Sequence, residues 1–287
     1  MLVGAHVSIA GGLFKAVERG EQLGCSAIQI FSKNQMQWEA PTLTVAQIDK
    51  FISHLKNSSI HCVAIHDSYL INLASPDPDK HERSLHAFIH EICRAKKLKI
   101  PYLVFHPGSH MGRGESQGIQ RIAESINEAI TQSCDSHVTL LLENTAGQGS
   151  NIGYQFEQLA NILCRVKKQD RIGLCFDTAH AFAAGYDIRS PESYDKTFQS
   201  FDSIIGLDKL KLFHVNDSKK KLNSRIDRHA QIGKGFIGEL AFSLIMNDTR
   251  FASVPKILEI PGTSKDYINN LELLKSMVKI KGNRYNE

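Results

Sequence analysis

The sequence predicts an α/β protein: a single (β/α)₈ TIM barrel with a metal site at the carboxyl face of its strands. Three observations carry this reading. Eight short apolar runs alternate with amphipathic segments along 287 residues, a length that suits the fold. No Pro/Ser-rich linker interrupts the alternation, so residues 1–287 are expected to form one catalytic domain. Six consecutive runs end in His, Asp or Glu, at the face where a barrel gathers its chemistry. A doubly wound open sheet is the alternative, but no Gly-x-Gly-x-x-Gly turn follows the first run.

In chain order, the expected strands are Leu2–Ser8, Ala27–Phe31, Cys62–His66, Tyr102–His106, Thr139–Glu143, Gly173–Asp177, Leu210–Val215 and Lys256–Ile260. Each is short and almost continuously apolar, as a parallel strand covered on both faces must be. Helices are expected at Leu13–Leu23, Val45–Asn57, Lys80–Lys97, Ser116–Ser133, Phe156–Lys167, Pro191–Phe201, Glu239–Met246 and Tyr267–Val278. Thr44 and Ser190, the latter followed by Pro191, have the chemistry of helix starts.

The composition is 42% hydrophobic and 22% charged, which supports a packed core and argues against global disorder. The first residues lack a basic stretch followed by an apolar core, so they do not read as a signal peptide. No apolar run approaches a membrane span. The six cysteines (25, 62, 93, 134, 164 and 175) are scattered without a Cys-x-x-Cys pair, which suits reduced cytoplasmic thiols rather than disulfides or a thiolate zinc site. A net charge of +4 permits a nucleic-acid partner without requiring one. Lys219-Lys220-Lys221 and Lys167-Lys168 read as solvated faces.

The strand ends supply the chemistry. In order they carry His66, His106, Glu143, Asp177 with His180, His214 and Glu259, and a polar loop after the seventh strand adds Asp227 and His229. In an extended loop those last two would point the same way. Nine ligands exceed the needs of one zinc and suit two or three ions. Imidazole and carboxylate without thiolate favour zinc, with manganese or iron as alternatives. Three divalent ions set against Glu143, Asp177, Asp227, Glu259 and one bridging hydroxide leave a cluster of about +1, suited to an anionic ester. Phosphodiester hydrolysis follows, because clustered ions generate hydroxide near neutral pH and clamp both the attacking and leaving oxygens.

The rim loops bear on the substrate. Ser32-Lys33-Asn34-Gln35-Met36-Gln37-Trp38 mixes amides, a cation and the single tryptophan, and Tyr69-Leu70 could either wedge into a base stack or cover the rim. His110–Gly114 and Gly147–Asn151 offer backbone amides to phosphates.

At these residues the chain resembles the endonuclease IV family of apurinic/apyrimidinic DNA endonucleases. The resemblance is carried by Gly4-Ala5-His6-Val7-Ser8, His66-Asp67-Ser68-Tyr69-Leu70-Ile71-Asn72-Leu73, Phe105-His106-Pro107-Gly108-Ser109-His110, Leu142-Glu143-Asn144-Thr145-Ala146-Gly147, Asp177-Thr178-Ala179-His180-Ala181-Phe182-Ala183-Ala184-Gly185-Tyr186, His214-Val215-Asn216-Asp217-Ser218-Lys219 and Asp227-Arg228-His229, in the family's order and over essentially the whole chain. It implies three zinc ions per chain, with manganese admissible at one position. His66, His106 and Glu143 would hold the first. Glu143 would bridge to a second held by Asp177, His214 and Glu259, and His180, Asp227 and His229 would hold the third. It further implies a zinc-dependent endonuclease of base excision repair. Such an enzyme cleaves 5′ to abasic sites in duplex DNA, leaves a 3′-hydroxyl and a 5′-deoxyribose phosphate, and trims blocked 3′ ends. Glu143 and Glu259 would be the catalytic carboxylates, with Glu259 orienting the hydroxide between the first two ions. Asn34, Met36, Gln37, Tyr69, Leu70 and Arg228 would contact DNA. The expected protein is a cytoplasmic, nucleoid-associated monomer without a membrane partner.

Two positions depart from the family pattern. Met36 stands where Arg is frequent, which removes a cationic contact to the lesion. Ala179 stands where Cys is frequent, between two ligands. The rival readings are a sugar isomerase of the xylose-isomerase-like barrels and a non-catalytic damage binder. The third ligand set, His180 with Asp227 and His229, favours the nuclease.

Overall fold

A run such as Leu140-Leu141-Leu142 is stable in a strand only if both faces are covered, and a closed parallel sheet provides that cover. The computed structural model describes residues 1–133 and 137–279; Cys134 lies outside them. Its strands are β1 (Val3–His6), β2 (Ala27–Phe31), β3 (Cys62–His66), β4 (Tyr102–Phe105), β5 (Thr139–Glu143), β6 (Ile172–Asp177), β7 (Leu210–His214), the two-residue β8 (Asp217–Ser218) and β9 (His229–Ala230), and β10 (Lys256–Leu258). Eight of them close a parallel barrel in the order β1-β10-β7-β6-β5-β4-β3-β2. The strands β8 and β9 form a separate antiparallel ribbon above it.

The helices are α1 (Leu13–Gln22), α2 (Val45–Lys56), α3 (Pro78–Lys97), α4 (Glu115–Gln132), α5 (Phe156–Leu163), α6 (Thr178–Ala184), α7 (Pro191–Ile204), α8 (Glu239–Asn247) and α9 (Ser264–Ser276). Thr44 and Ser190 cap α2 and α7 as expected, accepting the backbone N–H of Gln47 and Ser193. The third helix starts at Pro78 rather than Lys80, because Asp77 accepts the N–H groups of both Asp79 and Lys80. The last starts at Ser264 rather than Tyr267, where Asp266 accepts both the N–H and the hydroxyl of Thr263.

Two layers of packing fix the barrel. Ala27, Ala64, Val104, Leu141, Cys175, Leu212 and Ile257 fill its interior. Outside, Phe176, Phe198, Phe213 and Phe251 join β6 and β7 to α7, with Phe198–Phe251 and Phe213–Phe251 centroids 4.9 and 5.1 Å apart. Each such ring contributes about 1.5–3 kcal/mol by burial. Gly4 is required where β1 meets β2, since a Cβ there would lie 1.5 Å from the Ala27 carbonyl oxygen.

The main departure from expectation is the stretch Leu174–His180. The strand stops at Asp177 and the chain turns directly into α6. Asp177 is the N-cap of that helix, and Gly185, at φ 109°, ends it in a left-handed turn. His180 therefore stands on a helix's first turn and not on a strand end.

Candidate metal centre

Glu143, at the end of β5, is fully buried at the middle of the cup. Its Oε2 lies 3.2 Å from His66 Nε2 and 3.3 Å from His106 Nε2, the latter from the residue just past β4. Its Oε1 lies 3.0 Å from His214 Nδ1, at the end of β7. That same Nδ1 is 3.2 Å from Glu259 Oε2, just past β10, and 3.9 Å from Asp177 Oδ2. A third group forms where α6 meets the ribbon. His180 Nε2 lies 3.1 Å from Asp227 Oδ2 and 3.4 Å from His229 Nε2, and His229 Nε2 lies 3.3 Å from Asp227 Oδ1. The loop before β9 thus brings Asp227 and His229 together, as an extended segment should.

The donor set fits divalent ions. The candidate ligand atoms of His66, His106 and Glu143 lie within 4.8 Å of one another, as do those of Glu143, Asp177, His214 and Glu259, and those of Asp177, His180 and His229. The imidazoles are also prepared to ligate. His66, His180 and His229 turn Nδ1 to the carbonyl oxygens of Asp67, Asn144 and Glu259 at 2.9, 2.9 and 3.0 Å. His214 turns Nε2 to Gln29 Oε1 at 2.8 Å. An oxygen acceptor fixes a proton on the outward nitrogen it faces, so the inward nitrogen, which shares its proton with the carboxylates of the cup, is the one that a cation can take over, the usual support of a metal-bound histidine.

The electrostatics agree. Burial raises Glu143, but the imidazoles of His214 and His106 outweigh it and hold the carboxyl well below its usual range. Glu259 and Asp227 are likewise held down, against burial, by His214 and His180 respectively. Burial lowers His66, yet its contact with Glu143 lifts it to about 10. The cup keeps its carboxylates ionised and favours positive charge among them. Cys175 forms its floor, within reach of Glu143 and His214, and burial keeps the thiol neutral.

Several residues that position the ligands were not among the sequence candidates. Gln29, buried on β2, donates to Glu259 Oε1 at 2.6 Å and also accepts from His214. His6, at the end of β1, places Nδ1 3.0 Å from Glu259 Oε1. Asn216 donates to Asp177 Oδ2 at 2.7 Å and accepts the N–H of Glu259. Asp217 accepts the backbone N–H groups of Ser218, Gly235, Ile237 and Gly238, tying the ribbon to the loop beyond it. The strand-end rule already points to His6, and a lone Gln in an apolar strand is a legible anomaly. Asn216 and Asp217 carry no comparable signal.

The expected DNA contacts surround the cup unevenly. Asn34, Met36 and Gln37 are exposed on the loop after β2, with Met36 70% accessible. Tyr69 is exposed, and its ring faces His106 with centroids 6.1 Å apart, so it stands over the ligands; Leu70 is half-buried. Arg228 is exposed between Asp227 and His229 and donates to the Asp227 carbonyl. A cleft of about 630 Å³ opens beside Glu259, lined by His6, Phe31, Asn34, Gln35, Tyr69 and Tyr267 among others.

A closed barrel with imidazoles and carboxylates converging at its carboxyl face defines a metal-dependent enzyme of the xylose isomerase-like TIM barrels, and the family model of that description matches residues 17–277. Within that class the chain belongs to the endonuclease IV family, the DNA-repair endonucleases. It is 49% identical over 280 residues to the probable endonuclease 4 of Chloroflexus aggregans, covering 96% of this chain and 98% of the relative. It is 50% identical over 279 residues to that of Geotalea daltonii, with the same coverage. The crystal structure of endonuclease IV from Thermus thermophilus superimposes with a TM-score of 0.87 at 32% identity, over 96% of this chain and 98% of that one. A D-tagatose 3-epimerase-like protein shares the fold, with a TM-score of 0.74, at only 18% identity. The likeness to the sugar epimerase is one of fold alone.

Proposed function

We propose that this chain holds three zinc ions and uses them to hydrolyse the phosphodiester 5′ to abasic sites in duplex DNA, leaving a 3′-hydroxyl and a 5′-deoxyribose phosphate, and to trim blocked 3′ ends. The observation that carries the reading is the clustering of imidazoles and carboxylates around one buried carboxylate, Glu143. His66, His106 and Glu143 take the first ion; Glu143, Asp177, His214 and Glu259 the second; His180, Asp227 and His229 the third, with manganese admissible at one position. Bound divalent ions supply hydroxide near neutral pH and neutralise charge on the attacking and leaving oxygens.

The protein's share is geometry. Glu143 presents one oxygen to each of two subsites. Glu259, held by Gln29 and His6 on Oε1, keeps Oε2 turned toward His214 and the reacting centre, where it orients the nucleophile. Fixing that carboxylate beforehand lowers the reorganisation needed at reaction. Asn34, Met36, Gln37, Tyr69, Leu70 and Arg228 contact the duplex, and the cleft beside Glu259 receives the extruded abasic nucleotide. The chain acts as one catalytic domain and as a monomer, in the cytoplasm at the nucleoid. Among the described residues no helix is long and apolar enough to cross a membrane.

The test is a labelled duplex containing one tetrahydrofuran abasic mimic. A single nick 5′ to the mimic, with a 3′-hydroxyl that a polymerase extends, supports the reading. An intact duplex at saturating enzyme and zinc contradicts it.

A further inference from the structure

Among the described residues outside the candidate metal cup, the largest concentration of buried charge lies between α3 and the loop after β2. Lys33, Glu91 and Arg94 are 4%, 1% and 6% exposed. Glu91 Oε2 accepts the Ser32 hydroxyl at 2.5 Å, and its Oε1 pairs with Lys33 Nζ at 3.2 Å. Lys33 Nζ continues to the Gln37 carbonyl at 2.7 Å. Arg94 donates to the Ser32 hydroxyl at 2.7 Å, to the Ser32 carbonyl at 2.5 Å and to the Pro41 carbonyl at 3.1 Å. From the opposite side, the Ser68 hydroxyl donates to the Gln35 carbonyl at 2.5 Å.

Burying three charges is costly, and apolar side chains of similar volume would generally hold a barrel at least as well. What this network does that apolar packing cannot is fix backbone carbonyls. Its contacts end on Ser32, Gln37 and Pro41, so both flanks of the loop are tied to α3 while its tip stays exposed. Preordering a binding segment reduces the entropy lost when it engages a partner.

We propose that Glu91 is a positioning residue for substrate recognition: through Lys33 and Ser32 it sets the loop that presents Asn34, Met36 and Gln37 to the duplex. The inference rests on the reading of that loop as a DNA contact. Glu91 is 1% exposed and belongs to none of the candidate metal groups, so its effect on recognition passes through the loop.

The chain carries its own reporter, since its single tryptophan, Trp38, lies in this loop with the Arg83 guanidinium 4.6 Å from its ring. The experiment compares zinc-loaded, full-length wild type with Glu91→Gln. In the variant, acrylamide quenching of Trp38 should rise. KM for the tetrahydrofuran duplex should rise about tenfold, the scale of one lost charge-assisted contact. kcat and zinc content should stay at the wild-type level. Unchanged quenching and KM would overturn the proposal. So would a fall in kcat and zinc content, which would make Glu91 a support of the metal cup, and so would raised quenching with unchanged KM, which would mean the loop does not engage the duplex. Failure of the wild type to nick the duplex would refute the functional reading instead, separately from the comparison of variant and parent. If the unpaired Lys33 charge prevents Glu91→Gln from folding, the double variant Lys33→Met with Glu91→Gln removes both charges and the Gln37 tether, and the same outcomes apply.

Discussion

Asp177 accepts the backbone N–H of His180 at 2.7 Å, so one candidate ligand caps the helix that carries another. Its second oxygen takes the amide of Asn216 and lies 3.7 Å from His229 Nε2 and 3.9 Å from His214 Nδ1. Asp177 therefore belongs both to the group with Glu143, His214 and Glu259 and to the group with His180 and His229, and in the proposed three-ion centre it would couple the second and third subsites through the backbone as well as through charge. Asn is as good a cap as Asp, whereas Ala forfeits about 0.5–2 kcal/mol. Asp177→Asn should lose one ion and keep the third subsite, while Asp177→Ala should lose both ions and melt lower. Elemental analysis with thermal melting checks this, and equal metal content in the two variants would disprove the coupling.

Glu259 is held at three points, by Gln29, His6 and the Asn216 acceptor on its own N–H. Glu259→Gln keeps the size of the side chain and removes the charge. Nicking should fall by about 10²–10⁴, the usual share of a positioned acid–base group, while abasic-duplex binding measured by anisotropy stays at the wild-type level. Retained nicking would remove Glu259 from the mechanism.

Asp217 binds no candidate ion, yet its carboxylate gathers four backbone N–H groups around the β8–β9 ribbon that carries His229. Asp217→Asn replaces one of the two acceptor oxygens with a donor that faces two of those groups, at a cost of about 1–3 kcal/mol. The third ion should be lost selectively, and a variant with full metal content and unchanged melting temperature would contradict the assignment.

Met36 presents an apolar, exposed side chain on the loop after β2. Met36→Arg should tighten binding to the abasic duplex, and if Arg reaches a phosphate the slope of log K against log salt steepens by about one. Titrations at several salt concentrations measure it, and identical curves would place residue 36 away from the duplex.

The barrel and most of its candidate ligands are legible in the sequence because parallel strands here are short, apolar and terminated by chemistry. His66, Glu143, Asp177 and His214 close their strands, with His106 and Glu259 one residue beyond. His180 is not legible as a helical residue. A seven-residue helix shows too little periodicity, and its start signal is Asp177 itself, which also reads as a strand end. The two-residue strands β8 and β9 are too short to leave any pattern. The roles of Gln29 and His6 depend on closure of the barrel, which brings them to Glu259 across 230 and 253 positions of chain. Such long-range pairing emerges only once β1 lies between β2 and β10.

The metal content of the purified wild-type protein tests the trinuclear centre most directly. Elemental analysis, with protein quantified independently, should find about three zinc per chain, with at most one position taken by manganese. One ion per chain, or none after reconstitution with excess zinc, would contradict the three-ion centre.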